Sequence, residues 1–181
     1  IYGMSLLYLW SGDLSLDALA MKWSESQSVD PLAGIAVGLM LVAFGFKVGA
    51  APFHLAAPDA YSGASSPVAG LLATASKAMG FVALMRILVS VTMPIEGEAF
   101  WYTAIAVIAV VTMTWGNLAA LTSSNPKRML AYSSVSHAGY MLAGLAAIGS
   151  GLGSEEAIEL VLTAIVFHLC LLYTSPSPRD P

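Results

Sequence analysis

The sequence predicts an all-α fold, a polytopic bundle of transmembrane helices in which one helix is broken. Three observations carry that expectation. The 181 residues are 57% hydrophobic and only 10% charged, with a mean hydropathy of +0.77, whereas a soluble domain of ordinary composition carries about a quarter charged residues. Apolar stretches of about the 20 residues needed to cross a bilayer recur along the chain. They are filled by Leu, Ala, Val and Gly without strand-like alternation, so helices satisfy their backbone most economically. Lastly, Pro52 and Pro58 punctuate the end of the first long stretch, through "APFHLAAP", where they break or kink a helix.

The elements follow in chain order. The opening "IYGMSLLYLW" lacks a charged leading region and reads as the tail of a truncated helix rather than a signal peptide. Spans are expected near residues 31–55, 67–91, 99–122, 129–148 and 157–169, so that residues 1–169 form a fragment of one multi-pass transmembrane domain. The closing "CLLYTSPSPRDP" abandons the membrane pattern, and residues 170–181 are expected to be a tail foreign to the fold. The single cysteine, Cys170, excludes an internal disulfide and any iron–sulfur or zinc–thiolate site built from this chain alone.

Helix starts are written in capping chemistry. "SVDPLAG", "SSPVAG" and "SNPKRM" set Asp30, Ser66 and Asn125 directly before a proline, and proline is tolerated at the first helical position because its missing N–H had no partner there. "GSEEAIE" offers Ser154 as a fourth cap, with Glu155 and Glu156 in the first turn complementing the helix dipole.

Charge orients the bundle. If the spans alternate, residues 11–30, 92–98 and 149–156 share one membrane face, which carries Asp13, Asp17, Glu25, Asp30, Glu96, Glu98, Glu155 and Glu156 against Lys22 alone. The opposite face receives Lys127 and Arg128 at a helix N-terminus, where the dipole disfavours them. The positive-inside tendency accounts for them and makes that face cytoplasmic. Arg86 lies about five residues from the acidic end of its helix and can snorkel to it.

Against this frame two lysines stand out. Lys77 lies ten residues after Pro67 and fourteen before Val91, about 15 and 21 Å from the two ends at 1.5 Å per residue. A lysine at that depth costs about 2.5–3.5 kcal/mol on insertion scales and should face protein or a water-filled path. The bland alternative is a structural pair with an acidic residue on a neighbouring helix. Lys47 is similarly deep. Pro52 cannot donate to the carbonyl of Val48, and Pro58 should free that of His54. Broken backbone at membrane depth is tolerated only when buried in protein or lining a cavity, and transporters set ion sites at such interruptions. His54 follows Lys47 by two turns, so a continuous helix would put both on one face; a satisfied core histidine capping a broken helix is the plainer reading. A buried ammonium is disfavoured by desolvation and by a second cation, so charge arriving at one site can expel a proton from the next. Histidine passes protons through either ring nitrogen. Lys47, His54, Lys77 and His137 are therefore the candidate proton path. Ser133, Ser134, Ser136 and Tyr140 can hold water, though serines in a membrane bundle are packing residues first.

The motifs also carry a resemblance. "FKVGAAPFHLAAPDAYSGASSPVAGLLATASKAMGFVALMR" followed by "GNLAALTSSNPKRMLAYSSVSHAGYMLAGL" resembles the subunit N family of the proton-pumping NADH:quinone oxidoreductase, respiratory complex I, over roughly residues 1–168. The combination of FK, PFH, PDxY, ATASK and NxKRxLAYSSxSHxGY is specific. Related antiporter-like subunits tend to show a histidine where Tyr61 stands and lack the ATASK form.

The resemblance implies an antiporter-like inverted-repeat fold of two five-helix bundles, each with a broken helix, of which this fragment runs from the sixth helix to the start of the eleventh. Lys47 matches the lysine of the first broken helix and Lys77 the central lysine of the next, both proton-path residues of the family. His54, His137 and Lys127 match family positions. Ala56 stands where the family's "HLWxPD" carries tryptophan, which alters packing rather than chemistry. The glutamate that partners Lys47 in the family is expected upstream of Ile1. The implied function is proton translocation as a translocase subunit of NADH:quinone oxidoreductase, with no redox chemistry in this chain. NADH, flavin, iron–sulfur clusters and quinone are expected in other subunits, with no cofactor or metal bound here. The implied partners are other membrane subunits and the lipid bilayer of a bacterial inner (plasma) membrane. A subunit of a multisubunit cation/proton antiporter is the main rival, and a helical membrane scaffold using polar residues only for packing the third possibility. No internal repeat is visible, and no basic aromatic surface suggests nucleic acid.

Overall fold

The computed structural model describes residues 1–26, 30–88 and 100–147, together with the single helical positions 159 and 163. The expected span at 157–169, its cap Ser154, the acidic residues at 96, 98, 155 and 156, Cys170 and the tail at 170–181 lie outside the described residues or at those single positions. Among the described residues the chain is all helical: α1 (Tyr2–Ser11), α2 (Leu16–Glu25), α3 (Pro31–Val48), α4 (Ala56–Gly63), α5 (Ser66–Ala73), α6 (Ala75–Ile87), α7 (Phe100–Thr122) and α8 (Pro126–Ala147).

Capping decides where these helices begin. Asp30 accepts from the N–H of Leu32 at 2.8 Å with Pro31 at the first helical position, and Asn125 accepts from the N–H of Lys127 at 3.0 Å ahead of Pro126. The start of α5 falls one residue earlier than expected: Ser65 is the extended capping residue and Ser66 is already helical, with Pro67 in the first turn. Ser15 caps α2 by accepting from the N–H of Ala18 at 3.3 Å.

Among the described residues three helical stretches, Pro31–Val48, Ser66–Ile87 and Trp101–Thr122, are long and apolar enough to cross a membrane. Helix α8 has their length, 22 residues, but carries Lys127, Arg128 and His137. The second stretch is not the single helix expected. Thr74 leaves helical geometry (φ −108°, ψ −80°) and separates α5 from α6, while its hydroxyl donates to the carbonyl of Gly70 at 2.8 Å. A threonine bonded back to the carbonyl four residues earlier bends helices.

Among the described residues two apolar cores hold the bundle. One gathers Val48, Phe81, Leu84, Ile105, Ala138 and Leu142, where α3, α6, α7 and α8 meet. The other gathers Leu7, Leu19, Trp23, Ala36 and Trp101 around α1, α2 and α3, and Trp10 meets Trp23 edge-on at 5.4 Å. Small residues set the closest approaches. A Cβ on Gly116 would lie 2.6 Å from the backbone nitrogen of Ser136, and one on Gly139 2.9 Å from that of Met113, so α7 and α8 cross almost backbone to backbone, as membrane helices do at small residues.

Candidate functional site

The site forms where α3 ends. After Val48 the chain turns through Gly49, whose φ of 79° is the left-handed conformation glycine adopts without penalty. Residues 51–55 form turns before α4 begins at Ala56. This segment folds back on the helix it leaves: Phe53 seats against Gly45, where a Cβ would lie 2.7 Å from its ring. The N–H of Ala51 donates to Thr112 Oγ1 on α7 at 2.9 Å. Thr112, fully buried, donates its own hydroxyl hydrogen bond to the carbonyl of Ile108 at 2.6 Å.

The two prolines divide their roles differently from the expectation. Pro52 lies in the turns after α3, whereas Pro58 sits in the first turn of α4, where a missing N–H has no intrahelical partner to lose. It opens a helix instead of interrupting one. The carbonyl of His54 is not freed either, because it accepts from the N–H of Ala57 at 2.9 Å.

Lys77 on α6 is only 2% exposed. Its ammonium donates to the Ser134 carbonyl at 2.8 Å and to the Ser134 hydroxyl at 2.7 Å, both on α8. It lies over Gly49, where a Cβ would stand 3.4 Å from Nζ, and so sits at the C-terminal end of α3, where the helix dipole favours a cation. The Tyr61 ring of α4 faces it with its centroid 6.0 Å from Nζ, within the range of a cation–π contact. The surroundings of this buried charge are thus hydroxyl, carbonyl, aromatic face and helix end. Among the described residues no carboxylate pairs with it, which departs from the bland expectation of an acidic neighbour.

His54 is also buried, at 4% exposure. Its ring meets Trp115 of α7 at 6.1 Å, and its Nδ1 has no hydrogen-bond partner among the described residues. His137 lies one turn beyond Ser134 on α8, partly buried, its ring 5.7 Å from that of Tyr140. Lys47 departs from expectation. It is exposed on the described surface, in the last turn of α3, with its stem against Gly80 of α6. Because α3 stops at Val48, Lys47 and His54 do not share a helical face: one points outward and the other is enclosed.

Sequence reasoning missed four contributors. Ser134, read as packing, is the direct partner of Lys77, and Thr112 holds the turn after α3. Thr74 bends the span three residues before Lys77, and Tyr61 reaches that bend by donating to the Leu72 carbonyl at 3.2 Å. The threonine within "ATASK" was the available signal for the bend. At the same end of the bundle, Arg128 pairs with Asp59 at 2.7 Å and Lys127 Nζ donates to the Ala64 carbonyl at 3.3 Å. The start of α8 is thereby tied to α4.

A family model described as NADH:quinone oxidoreductase/Mrp antiporter, TM, matches residues 1–177. The NADH-quinone oxidoreductase subunit N 2 of Roseiflexus castenholzii is 43% identical over 176 residues, covering 93% of this chain and 34% of the relative. Subunit N of Heliobacterium modesticaldum is 50% identical over 147 residues, 80% of this chain and 30% of the relative. The chain therefore spans about a third of the length of these curated relatives. Among solved structures, respiratory complex I from Thermus thermophilus with bound aureothin contains a chain 37% identical with a TM-score of 0.65, over 95% of this chain and 36% of that one. The Mrp complex from Dietzia sp. DQ12-45-1b contains one 25% identical with a TM-score of 0.76, over 94% of this chain and 30% of that one.

Proposed function

Given that the chain belongs to the NADH:quinone oxidoreductase/Mrp antiporter transmembrane family, we propose that it is part of a proton-translocating membrane subunit of an NADH:quinone oxidoreductase, of the subunit N type. In this reading protons move through Lys77, Lys47, His54 and His137 with bridging water. The redox chemistry, with its NADH, flavin, iron–sulfur clusters and quinone, belongs to other subunits. The partners are the neighbouring membrane subunits of that complex, in a bacterial plasma membrane.

The observation that carries the proposal is the burial of Lys77 against Ser134 at the end of the broken helix, without a carboxylate among the described residues. A charge held permanently for structure is best matched by an opposite charge, because breaking or omitting the partner of a buried ion is costly. An ammonium surrounded by neutral acceptors can instead lose its proton and remain hydrogen-bonded. His54 supports the same reading, since its buried Nδ1, without a hydrogen-bond partner among the described residues, suits a group that exchanges protons with water.

The test is NADH-driven proton uptake into membrane vesicles carrying the full-length protein in its complex, wild type against Lys77→Ala, with assembly checked in parallel. Loss of uptake in an assembled complex is expected. Normal uptake would reduce Lys77 to a structural charge and end the proposal. A second reading, a subunit of a multisubunit cation/proton antiporter, draws on the closer backbone superposition with the Mrp complex, although sequence identity favours the oxidoreductase. Proton uptake driven by an imposed sodium gradient without NADH would favour it.

A further inference from the structure

Tyr61 links two features of the site, the bend at Thr74 and the ammonium of Lys77. Its hydroxyl donates to the carbonyl of Leu72, two residues before the point where the α5–α6 span leaves helical geometry. Its ring faces Lys77 Nζ at 6.0 Å. Tyr61 itself stands on α4, two residues from Asp59, whose carboxylate is held by Arg128 of α8. One side chain therefore touches the backbone that bends toward Lys77 and the charge that Lys77 carries.

We propose that Tyr61 is the positioning residue of Lys77: its hydroxyl holds the bent segment in register and its ring forms one wall of the ammonium site, so that the seating of α4 is felt at the lysine. The inference rests on the proton-translocating reading of Lys77. A merely structural tyrosine would have its hydroxyl on any free acceptor and its ring on apolar neighbours. Here the hydroxyl meets the interruption three to five residues before the lysine and the ring meets the cation.

The experiment compares Tyr61→Phe and Tyr61→Leu in the full-length protein within its complex, beside Lys77→Ala. NADH-driven proton uptake is read across pH, with assembly and thermal stability measured on the same preparations. The other titratable or charged groups on the elements around Lys77 are Lys47 on α3, His54 in the turns after it, Asp59 on α4, Arg86 on α6 itself, and Lys127, Arg128, Tyr132, His137 and Tyr140 on α8, and none of these is altered. Tyr61→Phe keeps the ring and removes one oxygen atom. It should assemble and lower uptake per NADH oxidised by roughly three- to tenfold, the range set by one neutral hydrogen bond, and displace the pH profile of the remaining uptake. Tyr61→Leu, which removes the ring as well, should lose more. An unchanged rate and pH profile in assembled Tyr61→Phe and Tyr61→Leu, beside lost uptake in Lys77→Ala, would overturn this inference and leave the proposed function standing. A fall in thermal stability with an unmoved pH profile would overturn it too, making Tyr61 structural only. Normal uptake in Lys77→Ala would remove both.

Discussion

Lys77 and Ser134 are joined twice: the ammonium on α6 donates to the hydroxyl of Ser134 at 2.7 Å and to its main-chain carbonyl at 2.8 Å. Only one of these bonds can be removed by side-chain substitution. Ser134→Ala should therefore weaken the site without abolishing it. Hydrogen bonds to charged groups contribute about 1.5–3 kcal/mol, and a loss of that order should appear in thermal denaturation of the purified complex together with partial loss of proton uptake. Unchanged stability would mean that the carbonyl alone satisfies the ammonium.

Lys77→Arg keeps the positive charge in the same place but holds its proton at any accessible pH. Assembly should be retained better than in Lys77→Ala, while proton uptake is lost in both. Full uptake with arginine would show that the site needs charge and not proton release.

Thr112→Val preserves shape but leaves the buried N–H of Ala51 without its acceptor. An unsatisfied buried donor costs about 1–3 kcal/mol, and the turn after α3 should loosen accordingly. Thr114→Val is the control, because that hydroxyl bonds the Val110 carbonyl on an exposed face. Thermal denaturation should separate the two, with Thr114→Val near wild type.

Gly116→Val would drive a Cβ to 2.6 Å of the Ser136 backbone nitrogen and 2.9 Å of its Cα. Neither atom can step aside as a flexible side chain would. The α7–α8 crossing must open, stretching the Ser136–Asn117 hydrogen bond of 2.9 Å, and overpacking of this kind typically costs about 1–3 kcal/mol. Reduced yield of the folded protein and a lower midpoint of thermal denaturation are expected.

The Arg128–Asp59 pair is solvent-accessible, with side chains 45% and 71% exposed. Exposed pairs contribute about 0.2–1 kcal/mol and are screened by salt. A double-mutant cycle of Asp59→Asn and Arg128→Gln should give a coupling energy in that range at low salt and near zero at high salt.

Much of the fold is legible in the sequence. Composition and the recurrence of long apolar stretches specify a membrane helix bundle because bilayer insertion depends on summed hydrophobicity, a property of segments rather than contacts. Asp30 and Asn125 announced their helices because capping is local chemistry within a few residues. The break after Lys47 was legible for the same reason, since Pro52 cannot donate to the carbonyl of Val48. The depth of Lys77 followed from counting residues along its span. Tertiary structure alone decided what meets that lysine. Its partner Ser134 lies 57 positions away on another helix, and which residue faces which depends on helix rotation and on how closely Gly116 and Gly139 let α7 and α8 approach. The bend at Thr74 went unread because it has neither proline nor glycine at its centre, and the outward turn of Lys47 because which side of a helix meets the rest of the bundle is set by packing. Sequence determines where a charge sits along the membrane normal; only packing determines what it touches, since contacts across a bundle have no period along the chain.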